Sequence, residues 1–513
     1  MKNILKISFS LLAIGLMSCE AELDNPVTDE GFFTTGEANM SNYVAVGNSL
    51  TAGYADGALY ITGQNNSYPN IMAEQFARAG GSETFTQPLM ADNLGGLFLN
   101  GTQVASNRLV LGTDANGNPT PVVLEGMATT EVEAGEAGPY NNMGIPGAKS
   151  FHLLSEGYGD ASGVLAGTAN PYYARIATSA SSTVIGDAIA LNPSFFSLWI
   201  GNNDILSYAT SGGVGVDQTG NLDPTTYGSN DITDPMVFAG AYSTQVDLLV
   251  GTGASGGALV NIPDVTSIPY FTTVPVNPIP LDAATAALVN SQFALYNTQV
   301  LPGLVQFQII TPEEAAARMV NFSEGLNNYP IIMDDDLTDI SMILQAPPFS
   351  LDPQTAGLLG QLRQANDDDL IVLPASSVIG SLADPSNPLS VNGVAIPLAD
   401  QYVLTAAEQA RVATAAASYN ATIQGLAAAN DLVYVDAKAA LAQVANTGVA
   451  FDGGILADEY VTGGAFSLDG VHPSPRGYAY TANLIIQGIN AKYNATIPLV
   501  NIGNYGTVQV TSN

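Results

Sequence analysis

Ser49 stands in Gly47-Asn48-Ser49-Leu50-Thr51-Ala52-Gly53, a turn of small residues that follows the apolar run Tyr43-Val44-Ala45-Val46. A serine just past a buried parallel strand sits at the sheet edge where ligands bind, although most serines in such turns form the turn or cap a helix. Far along the chain comes Asp469-Gly470-Val471-His472-Pro473-Ser474. An Asp three residues before a His can set a carboxylate against the imidazole and fix its tautomer, leaving the other ring nitrogen to deprotonate a serine. Two further segments offer donors for a developing oxyanion: the side-chain amide in Gly201-Asn202-Asn203-Asp204, and the backbone N–H of Gly147 in Asn142-Met143-Gly144-Ile145-Pro146-Gly147. Together these types suit acyl transfer through an activated serine.

Other motifs carry less. Gly251-Thr252-Gly253-Ala254-Ser255-Gly256 fits a dinucleotide fingerprint, and Gly253-Ala254-Ser255-Gly256-Gly257 fits a nucleophile elbow. Both chemistries need a strand before and a helix after. Here a predicted helix precedes and a strand follows, so the segment reads as a helix-to-strand loop. Asp114, Asn116, Asn118 and Glu125 partly fit a calcium loop, but Pro119 occupies the position that needs a positive-φ glycine, so Asp114 to Asn118 reads as a hairpin turn. The triplets Asp334–Asp336 and Asp367–Asp369 read as solvated charge, and His152, with no ligand cluster about it, as a packing or solvent-facing residue.

The elements that must position these residues follow from hydrophobic pattern and punctuation. Pro69 to Ala79 is predicted as a helix stopped by Gly80-Gly81, and Phe195 to Ile200 as a strand buried on both faces. Asp234 to Val250 places Val237, Phe238, Ala241, Tyr242, Val246 and Leu249 on one helical face, and Ala258 to Ile262 forms the next strand. Thr405-Ala406-Ala407-Glu408 is a capping box that opens an Ala-rich helix to about Ala429, before the strand Leu432 to Val435. Ser474 as N-cap with Pro475 at the first helical position starts a helix directly after His472. Helix–strand alternation on both sides of a break at about 280–400 implies an α/β/α sandwich with a mainly parallel sheet.

In their order along the chain, the Ser49, Gly147, Asn203 and Asp469–His472 segments resemble the blocks of the SGNH (GDSL-type) hydrolase family. The resemblance covers about 41–280 and 400–495. It implies a flavodoxin-like three-layer fold and hydrolysis of acyl esters without metal or organic cofactor. Position by position it implies Ser49 as nucleophile, Asp469 and His472 as acid and base, and an oxyanion hole of the Ser49 and Gly147 amides with the Asn203 side chain. Val260-Asn261-Ile262-Pro263-Asp264 is similar to a further strand-end segment of the family. One departure is Asn48, where the signature has Asp, which bears on local hydrogen bonding. The other is the insertion at 281–399, whose apolar runs Ile331-Ile332-Met333 and Ile340 to Leu344 either bury against each other as a satellite core or roof an acyl groove. Two alternatives stay open: a polysaccharide O-deacetylase or acyltransferase using the same residues, and a catalytically silent surface protein that binds glycan or lipid.

Targeting and composition frame this reading. Lys2 and Lys6 precede the short apolar stretch Ile7 to Met17, too short to span a bilayer. Leu16-Met17-Ser18-Cys19 resembles a bacterial lipobox, which makes 1–18 a signal peptide and Cys19 the acylated first residue of a tether running to residue 40. Glu20, Glu22 and Asp24 resemble the export signal of surface lipoproteins in Bacteroidetes-type bacteria, so the expected location is the outer membrane, facing outward. Residues 496–513 read as a C-terminal tail. The chain has 513 residues, 12 Lys and Arg against 46 Asp and Glu, and a formal net charge of −34. That excludes a nucleic-acid binder tracking phosphates and disfavours electrostatic docking on anionic lipid. The single cysteine excludes an intrachain disulfide and a cysteine-rich zinc site. With two histidines in the chain, imidazole chemistry falls to His472 or His152. The expected partner is an acyl-ester substrate; oligomeric state is left open.

Overall fold

The structure, a computed structural model, describes residues 31–114, 117–135 and 137–510; Cys19, the acidic residues after it and the signal segment lie outside the described residues. Five parallel strands form the central sheet: β1 (Tyr43–Gly47), β2 (Asn142–Gly144), β3 (Phe195–Trp199), β4 (Gly256–Val260) and β5 (Val433–Val435). Their spatial order is β5-β4-β3-β1-β2, with Gly47 opposite Gly144 on one side and Trp199 on the other. The direction of winding therefore reverses between β1 and β3.

Side chains alternate across this sheet with the period of two that a strand imposes. Val44, Val46, Phe196, Leu198 and Leu259 join one apolar layer, while Tyr43, Ala45, Phe195, Ala258, Val260, Val433 and Val435 join the other. Eight helices matter here: α1 (Ser49–Ala52), α2 (Tyr68–Arg78), α3 (Val184–Ala190), α4 (Asn203–Thr210), α5 (Pro235–Gly251), α6 (Ala406–Ala429), α7 (Ala437–Asn446) and α8 (Pro475–Tyr493). Helices α3, α4, α5 and α6 bury their apolar stripes in the first layer, and α2, α7 and α8 in the second. The result is the three-layer α/β sandwich expected, with helices on both faces of a parallel sheet. Among the described residues no helix is long and apolar enough to cross a membrane.

The predicted starts are where the sequence puts them. Thr405 Oγ1 accepts the Glu408 N–H while the Glu408 carboxylate accepts the Thr405 N–H, closing the capping box of α6. Ser474 accepts the Gly477 N–H ahead of Pro475. The strands Leu109–Thr113 and Pro119–Val123 pair as the hairpin expected around Asp114.

Three segments are placed by packing over long sequence distances. The end of the tether is docked: Ala38 and Met40 are buried in the second layer, and Glu37 N–H bonds the Tyr493 carbonyl. The C-terminal segment is docked as well, because Ile497 and Ile502 complete the same layer beside α8. Within the insertion, Ile331, Ile340 and Leu344 close a separate core with Phe293, Leu304 and Phe322, while Ile332 reaches the first layer of the main core.

The aspartate triplets are not simply solvated. Asp334 and Asp369 are buried, and Arg363 joins them: its Nε donates to Asp334 at 2.5 Å, and Nη1 and Nη2 donate to the two oxygens of Asp369 at 2.6 and 2.8 Å. A planar guanidinium can satisfy two carboxylates in this way, which sequence spacing does not reveal. Removing a buried partner leaves its counter-charges uncompensated, at a cost of about 3–5 kcal/mol. Arg363→Ala is therefore expected to lower the unfolding free energy by about that amount in urea titration, and a loss within about 0.5 kcal/mol, as for an ordinary surface change, would show the pair to be dispensable.

Candidate active site

Ser49 begins α1 immediately after β1, and it is buried. The turn into α1 is tight enough that a Cβ on Gly47 would lie 2.2 Å from Thr51 Oγ1 and 2.3 Å from the Trp199 carbonyl oxygen, so glycine alone fits. Its neighbour Asn48 is fully buried; Oδ1 accepts the Leu50 N–H at 3.0 Å and Nδ2 donates to Asn202 Oδ1 at 3.2 Å. The amide thus supplies a donor that a carboxylate would lack, which accounts for Asn at this position.

His472 comes from the loop that precedes α8. Its Nε2 lies 2.9 Å from Ser49 Oγ, and its Nδ1 2.9 Å from Asp469 Oδ2. Ser49, His472 and Asp469 therefore form one hydrogen-bonded chain across 423 residues of sequence. The carboxylate is fixed by further donors. Asp469 Oδ1 accepts the N–H groups of Val471 and His472 and the Ser467 hydroxyl, and Oδ2 also accepts the Gly57 N–H. Gly470, at φ +71°, makes the turn that folds the backbone round the carboxylate. Burial pushes the Asp469 carboxyl up, but the His472 imidazole and these N–H donors outweigh it and hold the group at about 2. It stays ionised and can orient the imidazole.

Sequence reasoning missed the brace behind this loop. Asp56 is buried; its carboxylate accepts the Leu468 N–H and the Tyr60 hydroxyl, and its own N–H donates to Ser467. Asp56-Gly57 reads locally as a turn dipeptide, and nothing in its spacing points to a partner 412 residues away. Tyr54 packs its ring 4.7 Å from the imidazole of His472.

The oxyanion candidates lie on the neighbouring strand ends. Asn203 opens α4 just beyond β3, and its Nδ2 donates one hydrogen to the Ala148 carbonyl at 2.9 Å, leaving the second for another acceptor. That bond ties α4 to the loop after β2 that carries Gly147. Ser150 adds a second tie, its N–H and hydroxyl both donating to buried Asp204. Gly147 has φ +80° and is exposed, and its N–H, like that of Ser49, donates to no group among the described residues. Strand β2 was not foreseen: it has three residues and no apolar run.

A cavity of about 120 Å³ opens beside Ser49, Asn203 and His472. It is walled by Ala440 and Val444 of α7 and Leu484 of α8, with Trp199 and Val260 at the sheet. Trp199 is otherwise core, its indole N–H held by the Asn261 carbonyl at 3.1 Å. None of the residues lining this cavity belongs to 281–399. Ile331, Ile340 and Leu344 of the insertion are spent on its own core, and the walls of this cavity come from the helices that flank the His472 loop. Among the described residues, no group of three or more potential ligands includes His152. Its Nδ1 accepts the Lys149 N–H at 3.1 Å and its ring stacks on Tyr158 at 4.6 Å.

Compared with family models, with curated proteins and with solved structures, the chain matches none. The geometry stands alone: a buried serine, an imidazole that can take its proton, and a carboxylate that orients the imidazole, next to an apolar cavity.

His152 yields a test of folding rather than of chemistry. Burial, with Lys149 nearby, pushes its imidazole down to about 4. A base depressed in the folded state contributes stability that is present above its unfolded value of about 6.5 and is lost as pH falls toward 4. Between pH 7 and 4.5 the wild type is expected to lose roughly 2 kcal/mol more than His152→Phe in urea unfolding. Parallel stability–pH curves would sink this assignment.

Proposed function

We propose that the chain is a serine ester hydrolase of the SGNH (GDSL-type) kind, held at a bacterial outer membrane by a lipid on Cys19. The observation that carries the chemistry is the Ser49–His472–Asp469 chain opening on an apolar cavity. The doubly wound strand order, with Ser49 and Asn203 at the ends of the two strands where winding reverses, supports the family reading. The anchor rests on the sequence pattern of Lys2, Lys6 and the apolar stretch before Leu16-Met17-Ser18-Cys19.

In this mechanism His472 Nε2 accepts the Ser49 proton as Oγ attacks the ester carbonyl. Asp469 holds the imidazole and stabilises the cation that forms. The Ser49 and Gly147 N–H groups and the second amide hydrogen of Asn203 bind the oxyanion of the tetrahedral intermediate. His472 then protonates the departing alcohol, and water repeats the sequence on the acyl-enzyme. An apolar cavity beside the nucleophile favours an acyl chain of several carbons over a lone acetyl group, and so favours an esterase over an O-deacetylase. The complete hydrogen-bonded chain argues against a silent binding protein.

An activated fluorophosphonate should label the wild type and leave Ser49→Ala unmodified. Ser49→Ala and His472→Ala should each cut kcat by about 10⁴–10⁶, and the double variant should be scarcely worse, because these groups act as a unit. Asn203→Ala should lower kcat by about 10²–10³ with little change in KM. Labelling that persists in Ser49→Ala, or additive losses, would remove the assignment.

Chain length is tested separately at the cavity wall. Ala440→Phe fills the space between α7 and α8, and should reduce kcat/KM for an octanoyl ester about tenfold or more relative to an acetyl ester. An unaltered ratio would place the acyl chain elsewhere.

A further inference from the structure

A second cluster of carboxylates lies apart from Ser49, where the insertion meets the main core. Asp335 belongs to the insertion, Asp400 stands where it rejoins the core, and Glu408 is in the first turn of α6. One carboxylate oxygen from each lies within 4.8 Å of the other two. Three like charges at that spacing repel strongly unless something offsets them.

The surrounding cations are already engaged. Arg363 is held by Asp334 and Asp369, and Arg411 pairs with Asp336 while donating to the Tyr208 hydroxyl at 2.9 Å. Among the described residues no Lys, Arg or His bonds to Asp335, Asp400 or Glu408. Glu408 is fully buried, and while one of its oxygens accepts the Thr405 N–H at 2.6 Å, Oε1 has no hydrogen-bond partner. Asp400 Oδ1 is likewise a buried oxygen without a partner. Native structures seldom leave a buried carboxylate oxygen unsatisfied, since its desolvation goes uncompensated.

We propose that Asp335, Asp400 and Glu408 bind a divalent cation, and that the cation is calcium. The donors are all hard oxygens with no His or Cys among them, which suits calcium or magnesium rather than zinc. Calcium takes oxygens at about 2.3–2.6 Å in irregular geometry, so a single ion can reach three oxygens spread over this span. Magnesium demands about 2.0–2.1 Å and near-octahedral order. Exposed Asp335 leaves one side open for water ligands.

The ion is a brace between parts of the fold. It joins the insertion to the start of α6, against the turn after α4: a Cβ on Gly213 would lie 2.0 Å from Glu408 Oε1. Tyr208, which receives the Arg411 hydrogen bond, lies on α4, the helix that begins with Asn203. Calcium therefore holds the insertion against the helix that carries an oxyanion donor, without itself touching the proposed reaction.

The test uses the whole chain after EDTA treatment and dialysis. Calorimetric titration with calcium chloride should show one saturable site, with an affinity of about 10⁻⁴–10⁻³ M or tighter. About 10 mM calcium should raise Tm by several degrees over EDTA. Asp400→Asn should weaken binding tenfold or more and abolish the Tm rise, while leaving Tm in EDTA unchanged or higher because a repulsion is relieved. Glu408→Gln should behave alike, and Asp335→Asn decides the matter if Glu408→Gln fails to fold. Asp114→Asn, at the hairpin turn, should bind calcium as the wild type does. No calcium-dependent Tm shift, or wild-type affinity in Asp400→Asn, would overturn the proposal.

Discussion

The parallel pairing of β1 with β3 sets Gly47 level with Trp199, and both strands are buried on both faces. A slip of one residue would send every side chain of β1 into the opposite helical layer, so the register is tightly specified. Because the order of winding reverses between these two strands, the loops that leave their ends diverge to opposite faces and open a crevice. Ser49 stands at one lip of it and Asn203 at the other. The remaining polar contacts of the site, from the Asn48–Asn202 bond to the Asn203–Ala148 bond, are consequences of that register.

His472 reaches the crevice through packing on the second layer. Helix α8 buries Tyr478, Ala479, Ala482, Ile485, Ile486 and Ile489 against the sheet, which fixes where its N-terminus and the loop ahead of it must lie. The loop is then held by hydrogen bonds that end on Asp469 and Asp56. The same packing makes the cavity. Where α7 and α8 face each other near Ser49, Ala437, Ala440 and Gly477 occupy the wall, and such small side chains leave space that larger ones would close.

The insertion follows a different logic. Its apolar runs close a core of their own, and its acidic residues are gathered rather than dispersed. In a chain of net charge −34, such gathering requires counter-charges, and Arg363 and Arg411 provide two of them. The Arg411–Asp336 pair joins the insertion to the main core, as do Ile332, Ala365, Ile371, Val372 and Leu398, and the insertion leaves the apolar cavity to the helices of the sandwich.

Local pattern determined much on its own. The apolar runs of β1, β3 and β4, the Thr405–Glu408 box, the Ser474-Pro475 start of α8 and the Asp469–His472 spacing depend on neighbours within a few residues, and periodicity and capping chemistry act over that range. The catalytic candidates were legible because each lies at the end of such an element. What the sequence left undecided involves partners far apart: the edge strand β2, too short to carry a pattern; the brace from Asp56 and Gly57; the Arg363 bridge between two aspartate triplets; and the walls of the cavity. These depend on which surfaces meet when the layers close, and that is set by burial and shape summed over the whole fold rather than by any local run of residues.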